Sequence, residues 1–206
     1  MIELAGVRAG QSALDVGCGP GALTTGLVAV LGADSVVAID PSASFVAANR
    51  ERNSGVDVRQ ASAEQLPFDD ERFDVALTQL VVHFMADPVA GMREMGRVVR
   101  PGGAVAVCVW DLAGARSPLE PFWRVASRRP RRRARHRADG RGRVEYRSFV
   151  EWWEPYTLGV GPAGVYVAAL DATDRDALRD ECRDVLGAPP FTVSAKAWAV
   201  RGRVRS

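Results

Sequence analysis

Residues 13–21 constrain the fold of this chain more than any other stretch. They read Ala-Leu-Asp-Val-Gly-Cys-Gly-Pro-Gly, a short apolar run followed by three glycines at alternate positions. The apolar run is too brief for a helix and predicts a buried strand, whereas the Ala-, Leu- and Val-rich residues 22–31 predict a helix. Because glycine has no Cβ, the backbone of the glycine turn (residues 17–21) can take positive φ values and a ligand can approach it closely. Strand, glycine turn and helix in this order are typical of a nucleotide-binding α/β fold.

Strands and helices continue to alternate after this turn. Apolar runs predict further buried strands at residues 35–39, 56–60, 73–78 and 104–110. Helix start and stop signals predict helices at residues 42–52 and 88–100. The alternation predicts a parallel sheet with helices on both faces. In such sheets ligands bind beyond the carboxyl ends of the strands, so we expect the turns at that edge to form one site.

The pattern changes after Trp110. Between Arg124 and Arg147 there are eleven arginines and two acidic residues, although the formal net charge of the chain is only +2. Residues 127–145, here called the Arg-rich segment, show no apolar periodicity and predict a disordered or solvated stretch. A helix at residues 173–186 and a strand at 191–200 are expected beyond it. We expect one domain over residues 1–206, with the Arg-rich segment inside it.

Composition argues against several classes of protein. Apolar residues make up 47% and charged residues 25%, which are ordinary values for a globular domain. We expect no membrane segment, because no apolar run is long enough and the first residues lack the features of a signal peptide. The three cysteines lie far apart, so we expect no metal site and a cytoplasmic location. Nucleic-acid binding is not expected, because the Arg-rich segment lacks interleaved aromatic residues that would stack bases.

Five segments in order resemble the class I S-adenosylmethionine-dependent methyltransferases, in particular the type-11 branch of ubiquinone/menaquinone-biosynthesis-like enzymes. They are residues 15–21, 38–42, 61–68, 73–79 and 97–103, within a resemblance that covers roughly residues 10–112. The resemblance implies a Rossmann-like, doubly wound, mostly parallel sheet of order 3-2-1-4-5-7 with an antiparallel last strand. Relative to the family, the chain is expected to be truncated at its N-terminus and disrupted around residues 124–145. We therefore expect the family's sixth strand to be missing and the last strand to be an unprotected edge.

The resemblance also implies S-adenosylmethionine as cofactor and assigns residues to it. Asp15 and the glycine turn correspond to the site for the methionine portion, Asp40 to an acceptor for both ribose hydroxyls, residues 62–64 to the adenine site, and Gln79 to a residue facing the sulfonium. The family commonly has an acid where Ser62 stands. The full set of cofactor-binding residues implied in this way is Asp15, Gly17, Cys18, Gly19, Gly21, Asp40, Pro41, Ser42, Ser62, Ala63, Glu64 and Gln79.

Two further residues are candidates for contacting the acceptor, His83 and Trp110. His83 follows the fourth strand, where an imidazole could serve as a general base because it titrates near neutrality. The alternative is a histidine that only packs beside Phe84. No catalytic residue is assigned, because the sulfonium is already activated and in-line positioning supplies much of the acceleration.

The leading hypothesis is methyl transfer from S-adenosylmethionine to a small-molecule acceptor by direct displacement. A degenerate or binding-only paralogue is the main alternative. A nicotinamide-dependent oxidoreductase is disfavoured because Ala22 stands where that fingerprint needs a glycine. The Arg-rich segment has two interpretations, a genuine insertion or a stretch translated out of frame, and only the first leaves room for an RNA-modifying enzyme. The identity of the acceptor and the oligomeric state are not encoded in any pattern we recognise.

Overall fold

A computed structural model describes residues 1–111, 117–126, 141–159 and 161–205 of the 206-residue chain. The chain forms two compact units. One comprises Met1–Val109 with Ala199–Ser206, and the other comprises Trp110–Trp198. That residues 1–206 form one domain stays a prediction.

The first unit alternates helices and strands in the predicted order. Its elements are α1 (Ile2–Ala5), β1 (Ala13–Val16), α2 (Ala22–Leu31), β2 (Val36–Asp40), α3 (Ala43–Arg52), β3 (Asp57–Gln60), β4 (Phe73–Gln79), α4 (Pro88–Val98) and β5 (Val99–Trp110). One-turn 3₁₀ helices lie at Ala33–Ser35 and Val82–Phe84. β1 to β5 therefore lie where the apolar runs predict them, with boundaries that shift by a few residues.

The second unit holds most of the remaining elements. They are α5 (Glu120–Ala126), β6 (Arg141–Tyr146), α6 (Phe149–Thr157), α7 (Gly161–Ala168), α8 (Ala172–Leu186) and β7 (Phe191–Arg203), whose last residues belong to the first unit. Asp171 caps α8 by accepting a hydrogen bond from the Asp174 N–H at 2.8 Å. Helices α5, α6 and α7 were not predicted, because each is too short to show a clear apolar period.

Capping residues determine where the helices after β2 and β4 begin. The Ser42 hydroxyl accepts from the Phe45 N–H at 3.4 Å at the start of α3. The Asp87 carboxylate accepts from two N–H groups of the first turn of α4, both at 3.0 Å. Pro88 occupies the first helical position, where its missing N–H leaves no bond unmade. The chain thus turns into these helices shortly after it leaves the carboxyl edge of the sheet.

The strands order as β3-β2-β1-β4-β5-β7-β6. β1 pairs with β2 and β4, β2 with β3, and β4 with β5, all in parallel. Along β5 and β7 the pairing runs in opposite directions, since Gly102 N–H bonds Val204 O and Asp111 N–H bonds Lys196 O. The predicted Rossmann-like order 3-2-1-4-5-7 with an antiparallel last strand is confirmed.

One part of the topology prediction was wrong, because a sixth strand is present. β6 pairs with β7 in antiparallel register, from Arg141 opposite Lys196 to Tyr146 opposite Phe191. The ring centroids of Tyr146 and Phe191 are 5.7 Å apart and the rings are stacked. This pairing covers the edge of β7 that was expected to be unprotected, and it places residues 141–145 of the Arg-rich segment in a strand. Residues 127–140 of that segment lie outside the described residues.

The core of the first unit lies on both faces of its sheet. Along β1, Ala13 belongs to one apolar cluster, and Leu14 and Val16 belong to the other. Along β2, Val36 and Ala38 alternate in the same way with Val37 and Ile39. Strands that are buried on both faces need nearly continuous apolar sequence. This explains the apolar runs from which these strands were predicted. In the described part of the chain, no helix combines the length and the apolarity that a membrane crossing requires.

The segment after β3 is anchored to α4 by Arg97. Its guanidinium donates to the Phe68 carbonyl at 2.9 Å and to the Leu66 carbonyl at 3.1 Å. Glu94 pairs with the same guanidinium at 2.7 Å and accepts from the Leu66 N–H at 2.9 Å. This cluster fixes the end of the loop that begins at Ala61, beside the carboxyl edge of the sheet.

Replacing Arg97 with methionine should therefore destabilise the first unit. Several charge-assisted hydrogen bonds are lost and two buried carbonyls lose a donor, so we expect the free energy of unfolding to fall by about 1–3 kcal/mol. Urea denaturation measures the loss. Arg93→Met on the exposed side of α4 is the matched control and should change stability by less than about 0.5 kcal/mol. Equal losses in the two variants would contradict the anchoring role.

Candidate functional site

The glycine turn uses backbone conformations that favour glycine. Gly17, Gly19 and Gly21 have φ values of 71°, 52° and 92°. A Cβ on Gly17 would overlap the side chain of Val81, so this position also lacks the space for a side chain. A Cβ on Gly19 would meet no atom within 4 Å beyond its chain neighbours. The turn is therefore packed against protein at Gly17 and open at Gly19.

The end of β2 holds this turn in place. The Asp40 carboxylate accepts from the Gly19 N–H through Oδ2 and from the Ser42 N–H through Oδ1, both at 2.9 Å. The carbonyl of Ile39 accepts from the N–H groups of Gly17 and Cys18 at 2.8 and 2.9 Å. Asp40 is only 6% exposed. The structure thus brings Asp40 and the glycine turn together, as the sequence predicts. All four N–H groups of the turn are bonded internally, the fourth being that of Gly21, which donates to the Cys18 carbonyl at 3.0 Å.

Asp15 lies deeper than a residue that contacts a ligand from the surface. It is 1% exposed, and the Thr24 hydroxyl of α2 donates to its Oδ2 at 2.7 Å. Burial is the main cause that raises the pKa of Asp15, the hydrogen bond from Thr24 lowers it, and the nearby Asp40 raises it again, so that the resulting pKa is about 7. The carboxyl is therefore close to half ionised near neutral pH. Its predicted role in attracting an amino group stays a prediction.

The loop after β3 lies beside β2, because the Ala61 N–H donates to the Asp40 carbonyl at 3.2 Å. Ser62 is exposed and Ala63 is buried. The Glu64 carboxylate accepts from the Ser62 hydroxyl and from the Ala86 N–H, the latter at 2.8 Å. The Ser62 hydroxyl is the main reason why the pKa of Glu64 is lowered. Because both side chains are engaged with each other, the backbone of residues 62–64 is the freer group for binding a base.

β4 ends beside a cavity. Gln79, its last residue, lines a space of about 310 Å³ together with Ala22, Leu23 and Gly26 of α2 and with residues 1–3. The next residue, Leu80, has a φ of 66°, which is uncommon for a residue with a side chain. Its N–H donates to the Cys108 carbonyl at 2.6 Å, so the unusual conformation is held by β5. Strained backbone of this kind concentrates at functional sites.

His83 packs on its neighbour, as the packing alternative predicts. Its ring centroid lies 4.0 Å from that of Phe84. Among the described residues neither ring nitrogen has a hydrogen-bond partner. Burial lowers the pKa of His83, which favours the neutral imidazole, and both ring nitrogens are buried. Its role as an acceptor contact or general base stays a prediction.

The remaining predicted residues have mixed outcomes. Cys18 is buried and its pKa is raised to about 12 by burial, so its thiol is not a nucleophile. Trp110 belongs to the second unit, and its contact with an acceptor stays a prediction. Across residues 1–111, 117–126, 141–159 and 161–205, no three His, Cys, Asp or Glu side chains form a metal-binding group.

Sequence reasoning missed the polar groups behind the glycine turn. Thr24 and Asn49 are completely buried, and Asn53 is 7% exposed. All three are hydrogen-bonded to one another or to the turn. The available signal was the pair of asparagines four residues apart, Asn49 in α3 and Asn53 directly after it, on a helix whose buried face also carries Val46. A buried asparagine on such a face needs a partner, and the turn was the nearest candidate.

Comparison with known proteins gives a consistent family. Residues 14–107 match the family described as "Methyltransferase domain". An uncharacterised 37.1 kDa protein in transposon TN4556 of Streptomyces fradiae is 38% identical over 52% of this chain and 32% of its own length. The uncharacterised methyltransferase C1B3.06c of Schizosaccharomyces pombe is 34% identical over 50% of this chain and 41% of its own length. The ubiquinone/menaquinone biosynthesis C-methyltransferase UbiE of Vibrio parahaemolyticus is 35% identical over 60% and 49%, respectively. The match thus spans less than half of each of these relatives.

Two solved structures align with nearly the full length of this chain. The YcgJ protein of Bacillus subtilis aligns with a TM-score of 0.64 at 19% identity, covering 100% of this chain and 97% of that one. The MccD protein aligns with a TM-score of 0.55 at 16% identity, covering 96% and 93%. At these identities the likeness shows the architecture alone.

The raised pKa of Asp15 predicts how stability depends on pH. Because the folded carboxyl holds its proton up to about pH 7, whereas the unfolded one releases it near pH 3.8, this group's contribution to stability falls as pH rises through that window. Between pH 5 and pH 8 the wild type should lose about 2 kcal/mol relative to Asp15→Asn, which cannot ionise. Urea denaturation at both pH values measures the difference. Asp34→Asn, at an exposed carboxylate, should show no such divergence, and parallel curves for wild type and Asp15→Asn would show that Asp15 does not titrate in this window.

Proposed function

Residues 14–107 belong to the class I, type-11 methyltransferase family, and from this premise we propose that the chain transfers a methyl group from S-adenosylmethionine to a small-molecule acceptor. S-adenosylmethionine is the cofactor of the family. The domain matches less than half of the relatives' length, so activity and acceptor are proposed for this chain and not inherited from them. The name of the Vibrio relative, which places it in quinone biosynthesis, supports a small molecule as the class of acceptor.

The observation that carries the proposal is the position of the Asp40 carboxylate. It accepts a hydrogen bond from the N–H of Gly19, the glycine at which an added Cβ would meet no other atom within 4 Å. A carboxylate accepts about four hydrogen bonds, and the N–H groups of Gly19 and Ser42 use two of them. The remaining two can accept from the two hydroxyls of a ribose. A diol held there lies between the glycine turn and the loop that begins at Ala61.

The charges of the site suit a cation. Asp15 and Asp40 are close enough for the charge of one to raise the pKa of the other. Among the described residues, no arginine or lysine is one of the groups that shift the pKa of Asp15. A sulfonium and an ammonium group would relieve the repulsion between these carboxylates, whereas a phosphate would increase it. This balance supports S-adenosylmethionine and disfavours a dinucleotide.

When bound, the cofactor supplies an electrophilic methyl group whose bonding pair leaves with sulfur, so the residues of the chain need only bind, orient and exclude water. Asp40 orients the ribose. Gln79 lies beside the 310 Å³ cavity and can contact both the cofactor and the acceptor. We propose His83, whose pKa is lowered by burial, as the residue that takes a proton from an acceptor that must lose one.

The alternative is a degenerate paralogue that binds the cofactor without transferring the methyl group. Such a paralogue would bind the cofactor at the same site and would differ from the proposed enzyme only in lacking turnover. We also propose a cytoplasmic location, on the three free cysteines, and an acceptor other than nucleic acid.

Calorimetry tests the cofactor site. Wild-type protein should bind S-adenosylhomocysteine, and Asp40→Asn should bind it at least about tenfold more weakly, because an amide accepts fewer hydrogen bonds and carries no charge. Asp34→Asn, at an exposed position beyond α2, is the matched control and should bind as the wild type does. A folded wild type that binds no S-adenosylhomocysteine would remove the proposal.

Transfer of a tritium-labelled methyl group separates the enzyme from the binding-only alternative. Incubation of the protein with labelled S-adenosylmethionine and a metabolite extract should give a labelled small molecule, because the bound methyl group is already activated. Asp40→Asn should give less product at the same cofactor concentration. Cofactor binding without any labelled product from extracts of several sources would favour the binding-only paralogue.

A further inference from the structure

A chain of buried hydrogen bonds runs from α3 to Asp15. The Asn53 amide donates to Asn49 Oδ1 at 2.8 Å, and the Asn49 amide donates to the Thr24 hydroxyl at 3.0 Å. The Thr24 hydroxyl in turn donates to Asp15 Oδ2 at 2.7 Å. The four side chains are between 0% and 7% exposed. Water therefore does not compete for these bonds, and each is stronger than it would be on the surface.

The direction of every bond in this chain follows from the last one. An ionised carboxylate only accepts, so the single hydroxyl proton of Thr24 points at Asp15. The Thr24 oxygen must then accept from Asn49, whose amide group is therefore oriented with Nδ2 towards Thr24. Its Oδ1 is left to accept from Asn53. Three successive donors thus point towards Asp15, and their aligned dipoles favour the ionised form of its carboxylate.

At the end away from Asp15, this chain of hydrogen bonds contacts the glycine turn. The Asn53 amide donates to the Gly21 carbonyl at 3.2 Å. The Thr25 hydroxyl shares its single proton between the same carbonyl, at 2.9 Å, and Asn53 Oδ1, at 2.7 Å. A Cβ on Gly21 would overlap both Asn49 and Asn53. The two asparagines therefore occupy the space that the last glycine leaves. One network joins the turn, α2, α3 and the end of β1.

We propose that Asn49 and Asn53 are positioning residues of the cofactor site, which hold the glycine turn in its binding conformation and favour the ionised form of the Asp15 carboxylate. The proposal rests on the proposed function for the identity of the ligand. Apolar side chains could fill the same space without the free-energy penalty of burying two amides, so packing alone gives no reason for asparagine here.

The surroundings of Asp15 show why its charge needs this support. Burial and the Asp40 carboxylate at the end of β2 oppose ionisation, and Cys18 of the glycine turn is a neutral thiol. From β4, the residue that pairs with Asp15 is Leu77, which carries no charge. The only groups that favour the charged form in the described residues are the hydroxyl and the backbone of Thr24. Thr24 is in turn oriented by Asn49.

Titration of Asp15 by carboxyl ¹³C NMR tests the proposal without S-adenosylhomocysteine. In the wild type the midpoint should lie near pH 7, and the side-chain amide resonances of Asn49 should shift with the same midpoint. Thr24→Val should raise the midpoint by about one unit or more and Asn49→Leu by less, because each removes donors that favour the carboxylate. Thr24→Ser, which keeps the hydroxyl, should restore the wild-type midpoint.

Binding of S-adenosylhomocysteine provides the second readout. At pH 7.5, Thr24→Val should bind about tenfold more weakly than Thr24→Ser, and the gap should narrow at pH 9, where Asp15 ionises in both. If Thr24→Val only disturbed the structure, its binding would be weaker than that of Thr24→Ser by the same factor at pH 9 as at pH 7.5. Thr192→Val, at an exposed position of β7 outside this network, is the control and should keep the midpoint within about 0.3 unit.

Two results would overturn the proposal. One is a folded Asn49→Leu that keeps both the wild-type midpoint and the wild-type pH dependence of binding. The other result is obtained with the wild type alone. It is that the side-chain amide resonances of Asn49 keep their positions while Asp15 titrates. Absence of S-adenosylhomocysteine binding in the wild type, with the NMR midpoints as expected, would instead count against the proposed function.

Discussion

The site depends on the two hydrogen bonds by which the Asp40 carboxylate joins the Gly19 N–H to the Ser42 N–H. They connect the turn after β1 to the residue that caps α3. Asp40 can reach both groups because β1 and β2 are parallel and in register, with Val16 opposite Ile39. The turn approaches Asp40 closely because Gly19, whose N–H donates to the carboxylate, has no side chain. A single carboxylate therefore fixes the geometry of the edge and remains able to accept from a ligand.

Behind the carboxyl edge of the sheet, polar side chains are buried at positions where packing alone would favour apolar ones. Asp15, Thr24 and Asn49 are all buried. A buried charge and buried amides reduce stability unless every group is bonded, and here the bonds run in one direction towards Asp15. The ionised Asp15 carboxylate gives the site a second negative charge beside Asp40, and burying this charge reduces the stability of the fold. Such a loss of stability is common at functional sites.

Local signals explain what could be predicted from the sequence. Apolar runs located β1 to β5, and the glycines and Asp40 located the turn, because each depends on residues close together in the chain. β6 was missed because only its pairing with β7, some fifty residues away, makes Arg141–Tyr146 a strand. Asn49 and Asn53 were missed for a similar reason. Their meaning depends on Thr24 and Gly21, which contact them only in the folded chain.

The most direct measurement of the central claim is a crystal structure of the protein with S-adenosylhomocysteine. The account predicts both ribose hydroxyls within about 2.6–3.0 Å of the Asp40 carboxylate oxygens, with the sugar on the open side of Gly19. It also predicts the Asn49 and Asn53 side chains in unchanged positions behind Gly21. A ligand that binds elsewhere, or a ribose out of hydrogen-bond range of Asp40, would contradict it.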